Sequence, residues 1–343
     1  MEKIDFSKIG FEYHKCDYRF VSKYKDGKWD DGELTTDNTI VLSEAAGVLH
    51  YAQECFEGLK AFRTVNGDVV VFRPDMNAER LITSCRGLCI PEFPKSQFIE
   101  GVKKVVKANI DMVPPYETGA SLYIRPVVFA TGDVIGVKPA TEYEFRIFAT
   151  PTGPYFKEGV KPIAIRISNV DRAAPRGTGS IKAGLNYAMS LKNIQDAHDK
   201  GFAENLYLDP ATKTYIEETG GANIFFVDKD DKLITPLSPS ILPSITKKSL
   251  ITVSKKYLGL KVIERKVELS ELSEFKECFL CGTAAVVSPV GMIANNEEVI
   301  LFPSGMEEIG PITKKVRETL VKIQSGEIEA PEGWIVKIEE DKK

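Results

Sequence analysis

The segment Gly177-Thr178-Gly179-Ser180-Ile181-Lys182-Ala183-Gly184-Leu185-Asn186-Tyr187 sets one lysine in a turn that is otherwise uncharged. Its glycines permit backbone geometry closed to other residues and let a flat ligand come close. Arg176 and Lys192 are the nearest charged neighbours in sequence. A partly desolvated lysine has a lowered pKa, and a neutral amine attacks a carbonyl to form an imine. Read alone, Lys182 is equally an exposed loop lysine. Downstream, Tyr215-Ile216-Glu217-Glu218-Thr219-Gly220-Gly221-Ala222-Asn223 offers two consecutive carboxylates. On extended backbone these face opposite ways, and read alone either is a surface acid.

Anion-binding groups recur at three places. Arg80 lies in Asn77-Ala78-Glu79-Arg80, where it also reads as a helix-surface arginine paired with Glu79 or Asp75. Ile245 and Thr246 follow Pro243 at a helix start, where unpaired backbone N–H groups and the helix dipole favour an anion. Thr283 sits in Gly282-Thr283-Ala284.

The elements that position these groups follow from periodicity and breakers. Asn66-Gly67 between Ala61-Phe62-Arg63-Thr64 and Val69-Val70-Val71-Phe72 predicts a hairpin. Helices are expected over 77–88 and, behind a Ser96 start, over 95–110, where Phe98, Ile99, Val102, Val105 and Val106 share a face. Strands follow at 121–130 and 143–150, so residues 1–152 read as a small α+β domain. Pro151, Gly153, Pro154, Gly159 and Pro162 mark a linker at 153–162. The remainder, 163–343, reads as a larger domain. It starts on a strand at 163–168 and holds a long helix over 186–200, strands at 204–209, 223–228 and 232–235, helices over 244–258 and 311–324, and one buried strand from Phe279 to Val287.

With 343 residues, 43% hydrophobic and 27% charged, the chain is long enough for two cores. A net charge of −4 gives no basic face for nucleic acid or an anionic membrane. No apolar run reaches membrane-span length and no signal-peptide core follows Met1, so the cytoplasm is the expected compartment. The six cysteines read as reduced structural thiols, because the lone Cys278-Phe279-Leu280-Cys281 has no further ligands at zinc spacing and His14, His50 and His198 are isolated; no metal is expected. His50 reads as a packed core or interface histidine.

Taken together, K-A-G-x-N-Y (182–187) and E-x-G-x-x-N-I-F (218–225) resemble the cofactor signature of the class IV (fold-type IV) pyridoxal-phosphate aminotransferases, in particular the branched-chain amino acid aminotransferases. The resemblance runs from about residue 10 to 322 and includes L-H-Y-x-x-x-x-F-E-G-L-K-A-F (49–62), F-R-P-D-M-N-A-E-R (72–80), S-L-Y-I-R-P (121–126), L-P-S-I-T (242–246) and G-T-A-A (282–285). It implies a two-domain fold-type IV enzyme whose second domain has a mixed, barrel-like sheet. It implies that Lys182 carries pyridoxal 5'-phosphate, that Glu218 pairs with the ring nitrogen, and that Glu217 is the solvated neighbour. It further implies that Tyr187 meets the cofactor's phenolic oxygen, and that Arg80, Ile245, Thr246 and Thr283 hold its phosphate. Substrate would meet Phe56, Tyr123, Arg125, Tyr155 and Ala284, together with Tyr51, Ile135 and Val137 from the second subunit of a homodimer. The implied reaction moves amino groups between leucine, isoleucine or valine and 2-oxoglutarate.

Three readings stay open at this point: the branched-chain enzyme, another class IV member such as a D-amino acid aminotransferase or aminodeoxychorismate lyase, and a non-catalytic phosphate-binding protein. Two departures stand out. Gly221 occupies a position that carries a hydroxyl in some relatives, and Ala285 and Ser288 occupy the positions of a redox CxxC found in some animal ones.

Overall fold

The computed structural model describes residues 4–153, 160–295 and 298–339, and the chain divides into two compact units. The first comprises Met1–Tyr155, Ile181–Gly184 and Ile323–Lys343, and the second Phe156–Ser180 and Leu185–Lys322. The first break falls in the expected linker, of which residues 154–159 lie outside the described ones. The single cut at 153–162 therefore needs correction in two places: the segment bearing Lys182 and the segment from Ile323 onward both pack with the first unit.

The first unit is built on the antiparallel pair Ser121–Ala130 and Tyr143–Thr152, ten residues each, in register from Ser121↔Thr152 to Ala130↔Tyr143. Alternation sends Leu122, Ile124 and Val128 into the core and turns Tyr123, Arg125 and Val127 to the other face. Leu59–Arg63, Val69–Phe72 and Ile335–Lys337 extend the sheet on one side, and Arg19–Lys25 and Lys28–Trp29 on the other. The Asn66-Gly67 hairpin forms as expected, with Gly67 at φ 85°. The helix Lys95–Ala108 lays Phe98, Val102, Val105 and Val106 on the sheet, where the Phe93 and Phe145 rings stack at 3.8 Å. Gly101 permits this approach, since a β-carbon there would lie 3.0 Å from Ile147. Pro94, not Ser96, precedes this helix, and no side chain caps it.

The second unit has a mixed sheet in the order Ile216–Thr219, Glu204–Leu208, Ile163–Ile167, Val286–Asn295, Glu277–Gly282, Asn223–Val227, Leu233–Pro236, Val262–Arg265. Ile163–Ile167 runs parallel to both of its neighbours, and Leu233–Pro236 runs parallel to Val262–Arg265, with the helix Ile245–Leu258 as the crossover between them. Ser244 caps that helix by accepting Lys247 N–H at 3.1 Å, and Gly259 ends it in the left-handed conformation at φ 65°. Ile165, Leu206, Ile224, Phe226, Leu280 and Ile293 form the centre of the core.

Two elements differ from expectation. The helix expected over 186–200 is two pieces, Gly184–Ala188 and Leu191–His198. Ser190 makes the break: its N–H reaches Tyr187 O at 3.0 Å in a tight turn and its hydroxyl donates to Asn186 O at 3.1 Å. The strand expected from Phe279 to Val287 is two antiparallel strands, Glu277–Gly282 and Val286–Asn295, joined by a turn at 283–285. Cys278 and Cys281 are three apart on the first of these strands and so face opposite sides, and burial raises both thiols well above the usual range.

The helix Pro311–Gln324 begins on a buried carboxylate. Glu277 accepts Ile312 N–H at 3.0 Å, Thr313 N–H at 2.8 Å and the Thr313 hydroxyl at 2.8 Å, and a β-carbon on Gly310 would overlap it. Glu277→Ala is expected to destabilise the protein by about 3 kcal/mol, because it orphans buried donors. Urea unfolding measures this, and a change under about 0.5 kcal/mol, the scale of a neutral surface substitution, would contradict the cap.

Candidate active site

In the first unit the lysine turn is held by its backbone. Lys182 N–H donates to Ser84 Oγ at 3.1 Å and Lys182 O accepts Phe56 N–H at 3.0 Å. Ser84 lies on the buried face of the helix Pro74–Gly87, and Phe56 ends the strand Glu54–Phe56. The lysine is thus half-buried beside an aromatic ring, with Nζ 4.8 Å from the Phe56 centroid, and is not an exposed loop residue. The Arg125 guanidinium lies 4.7 Å from the same centroid. Arg125 and Tyr123 share a face as alternation requires, and Arg125 Nη2 donates to Tyr123 Oη at 3.0 Å. Arg125 Nε has no hydrogen-bond partner among the described residues. Phe11, which sequence reasoning missed, packs edge-on against Tyr123 at 5.5 Å.

Arg80 takes an ion-pair partner outside its own helix. Its Nε and Nη2 bind Glu57 in a bidentate ion pair at 2.8 and 2.7 Å, and Asn77 also donates to Glu57 at 2.7 Å. The pair uses one edge of the guanidinium and fixes its plane. Tyr51 donates from its hydroxyl to Ile135 O, and Ile135 and Val137 are 80% and 88% exposed, so these three form an apolar surface of the first unit. His50 is also exposed, with Nε2 2.7 Å from Glu44 O, so within this chain it is not a core histidine. Tyr155 lies outside the described residues.

In the second unit Glu218 is 3% exposed. Its Oε1 meets Arg172 Nη2 at 2.8 Å and Leu242 N–H at 2.9 Å, and its Oε2 accepts from Asn223 Nδ2. Nothing in the local pattern pointed to Arg172. The same Nη2 donates to Gly179 O at 2.9 Å and to Ser240 O, so one guanidinium joins the carboxylate to the glycine turn leading towards Lys182. Glu217 faces the other way but is not solvated: it is 3% exposed and accepts the Ser238 hydroxyl at 2.6 Å. Extended backbone separates the two acids as expected, but the sheet is covered on both faces.

The remaining groups sit nearby in the same unit. Leu242, bonded to Glu218, leads into Ser244-Ile245-Thr246; Ile245 and Thr246 are buried in the first helical turn. A β-carbon on Gly282 would lie 3.6 Å from Gly221 O, so the residue before Thr283 and Ala284 lies beside the 219–222 turn. That turn holds without a hydroxyl at 221: Ala222 N–H donates to Thr219 Oγ1 at 3.1 Å, the Thr219 hydroxyl donates to Ala222 O at 3.0 Å, and the Glu204 carboxylate lies beside Gly220. Val286 closes the 283–285 turn at φ 56°, a conformation that costs a β-branched residue of the order of 1–3 kcal/mol. Tyr187 is half-buried, one residue after Asn186, whose side chain bonds both the hydroxyl and the carbonyl of Thr178.

Each unit carries donors that suit part of a phosphorylated pyridine aldehyde. The first supplies an amine; the second supplies a carboxylate paired with a buried cation and the amides of a helix start, and there Asn223 Oδ1 and Arg172 Nε are buried polar atoms with no partner among the described residues. Arg172→Met is expected to destabilise the protein by about 3–5 kcal/mol by stranding Glu218, with part of the loss recovered in Arg172→Met/Glu218→Gln. Additive losses in urea unfolding would show that the pair is not coupled.

Comparison with known proteins agrees with this chemistry. Residues 54–293 match the family described as amino-transferase class IV. The chain is 49% identical to a branched-chain-amino-acid aminotransferase of Haemophilus influenzae over 344 residues, 99% of this chain and 100% of that relative. Among solved structures it is similar to a branched-chain amino acid aminotransferase of Escherichia coli, with TM-score 0.80 and 29% identity over 95% of this chain and 100% of that one. It is also similar to the branched-chain amino acid aminotransferase of Thermobaculum terrenum in its PLP-bound holo-form, with TM-score 0.79 and 25% identity over 95% of this chain and 99% of that one.

Proposed function

The chain belongs to the class IV aminotransferases and, within them, to the branched-chain-amino-acid aminotransferase family; on that premise we propose that it exchanges the amino group between leucine, isoleucine or valine and 2-oxoglutarate by a ping-pong reaction using pyridoxal 5'-phosphate. The observation that carries this reading is Lys182 beside an aromatic wall that also holds a cation, Arg125, whose Nε–H has no partner among the described residues. An apolar wall suits a branched side chain, and the orphan donor suits a second carboxylate.

When bound, the cofactor supplies a carbonyl for amines and a ring that draws electrons from the substrate Cα. Lys182 Nζ would hold the cofactor's aldehyde carbon and would serve as the acid and base that moves the substrate Cα proton. Glu218, paired with Arg172 and Asn223, would hold the ring nitrogen. Tyr187 would donate to the phenolic oxygen. The Ile245 and Thr246 amides, Thr283 and Arg80 would hold the phosphate. Thr283 and Ala284 meet the substrate carboxylate, and Phe56, Tyr123, Arg125 and Tyr155 its side chain.

The enzyme acts as a homodimer in this reading, with Tyr51, Ile135 and Val137 contributed to the second subunit's pocket; what supports it is the exposure of these apolar residues on one surface. Among the described residues no helix is long and apolar enough to cross a membrane, and we place the enzyme in the cytoplasm.

Lys182→Ala is expected to lose turnover by several orders of magnitude, and borohydride to fix the cofactor on Lys182 of the wild type, as read by peptide mass. A colourless protein that cannot be reconstituted with pyridoxal phosphate, or an amino-donor panel with activity only towards D-alanine, would end this assignment. Lys182→Ala subunits mixed with inactive Tyr51→Ala subunits are expected to regain part of the activity. Full activity from a demonstrated monomer would remove the shared site.

A further inference from the structure

Arg125 raises a difficulty. A guanidinium suited to a dicarboxylate must also tolerate an apolar side chain in the same pocket, and a desolvated cation without a counter-charge is unfavourable. The first unit contains a resident carboxylate that addresses this. Alternation along Glu54-Cys55-Phe56 puts Glu54 on the face of Phe56 and turns Cys55 to the opposite side, where its Sγ lies 3.7 Å from Cys85 Sγ. Glu54 Oε1 accepts the Gly184 N–H, two residues after Lys182, and a β-carbon on Gly184 would overlap that oxygen. Glu54 is therefore fixed on the lysine turn, beside the ring flanked by Lys182 at 4.8 Å and Arg125 at 4.7 Å. The Lys182 amine and the Arg125 guanidinium lie against the Phe56 ring, and Glu54 stands two residues before Phe56 on the same strand face. Burial raises the Glu54 pKa, while the Gly184 amide and the charge of Arg125 oppose that rise.

We infer that Glu54 is a specificity-determining residue, the internal counter-charge of Arg125 that stands in for the substrate's distal carboxylate while a branched apolar side chain occupies the pocket. This rests on the reading of Arg125 as the partner of glutamate and 2-oxoglutarate. With leucine bound, Glu54 balances Arg125. With glutamate bound, the γ-carboxylate takes Arg125 and is opposed by the charge of Glu54 on the same strand face, so Glu54 biases the enzyme away from dicarboxylates. The same oxygen positions the lysine turn, so charge and placement are separable: Glu54→Gln keeps an acceptor for Gly184 and removes the charge, whereas Glu54→Ser removes both.

The test uses the holoenzyme in single-turnover half-reactions with leucine and with glutamate. Calorimetric binding of two unreactive acids, glutarate and 4-methylpentanoate, gives a readout that does not depend on turnover. Glu54→Gln is expected to move the glutamate-to-leucine ratio of kcat/KM towards glutamate by about tenfold, and to tighten glutarate relative to 4-methylpentanoate by a similar factor. Glu54→Ser is expected to show the same shift in ratio with a lower rate in both half-reactions. Equal falls in both half-reactions for both variants, with the binding ratio unchanged, would reduce Glu54 to a structural support of the turn and overturn the proposal. Arg125→Met separates the two readings. If it depresses glutamate selectively while the Glu54 variants shift nothing, the Glu54 role alone fails. If it depresses both substrates equally, the Arg125 reading fails and the Glu54 role with it. In the Arg125→Met background the ratio shift from Glu54→Gln is expected to vanish, and a persisting shift would also overturn the proposal.

Discussion

The second unit depends on a buried carboxylate that could not stay ionised alone. Removing Glu218 from water is costly unless a cation and N–H donors surround it, and Arg172, Leu242 N–H and Asn223 do so from three separate segments. Because Arg172 also binds the carbonyls of Gly179 and Ser240, the electrostatic requirement of one acid fixes the paths of two loops. Gly179 is a glycine for that reason: a β-carbon would overlap Ser240 O and lie 2.9 Å from the arginine. Stability and chemistry here share one set of contacts.

The first unit works by a different physics. Its reactive groups stand on a sheet face where side chains alternate, and one aromatic ring holds the Lys182 amine and the Arg125 guanidinium at similar distances. Arg80, held by the buried Glu57, and Lys182, held through its backbone by the buried Ser84 and by Phe56, are both fixed by their neighbours. This is how a loop lysine acquires the precision of a residue on a regular element.

Much of this was legible in the sequence wherever the signal is local. The helix Ile245–Leu258 announces itself by Ser244 and Gly259, the hairpin by Asn66-Gly67, and the Tyr123–Arg125 contact by strand alternation. What escaped depends on partners distant in the chain. No local pattern says that Arg172 meets Glu218, that Glu57 claims Arg80, or that Ser238 reaches Glu217 in a sheet covered on both faces. The break at Ser190 was missed because a hydroxyl bonding back to the preceding turn leaves hydrophobic periodicity unchanged. The turn at 283–285 was missed because Thr-Ala-Ala lacks the usual breakers and the left-handed residue is a valine.

The first unit's sheet is not complete in chain order. Its strand Val69–Phe72 takes its outer partner from Ile335–Lys337, and the lysine turn docks onto residues 54–84 from position 182. During synthesis the N-terminal unit therefore emerges with an open sheet edge and without its reactive residue, and it closes only when nearly all of the chain has been made. An unpaired edge invites association with other chains while it waits. A fragment ending at residue 152 would carry that exposed edge permanently, so the two units, distinct as compact bodies, are not separable as modules of folding.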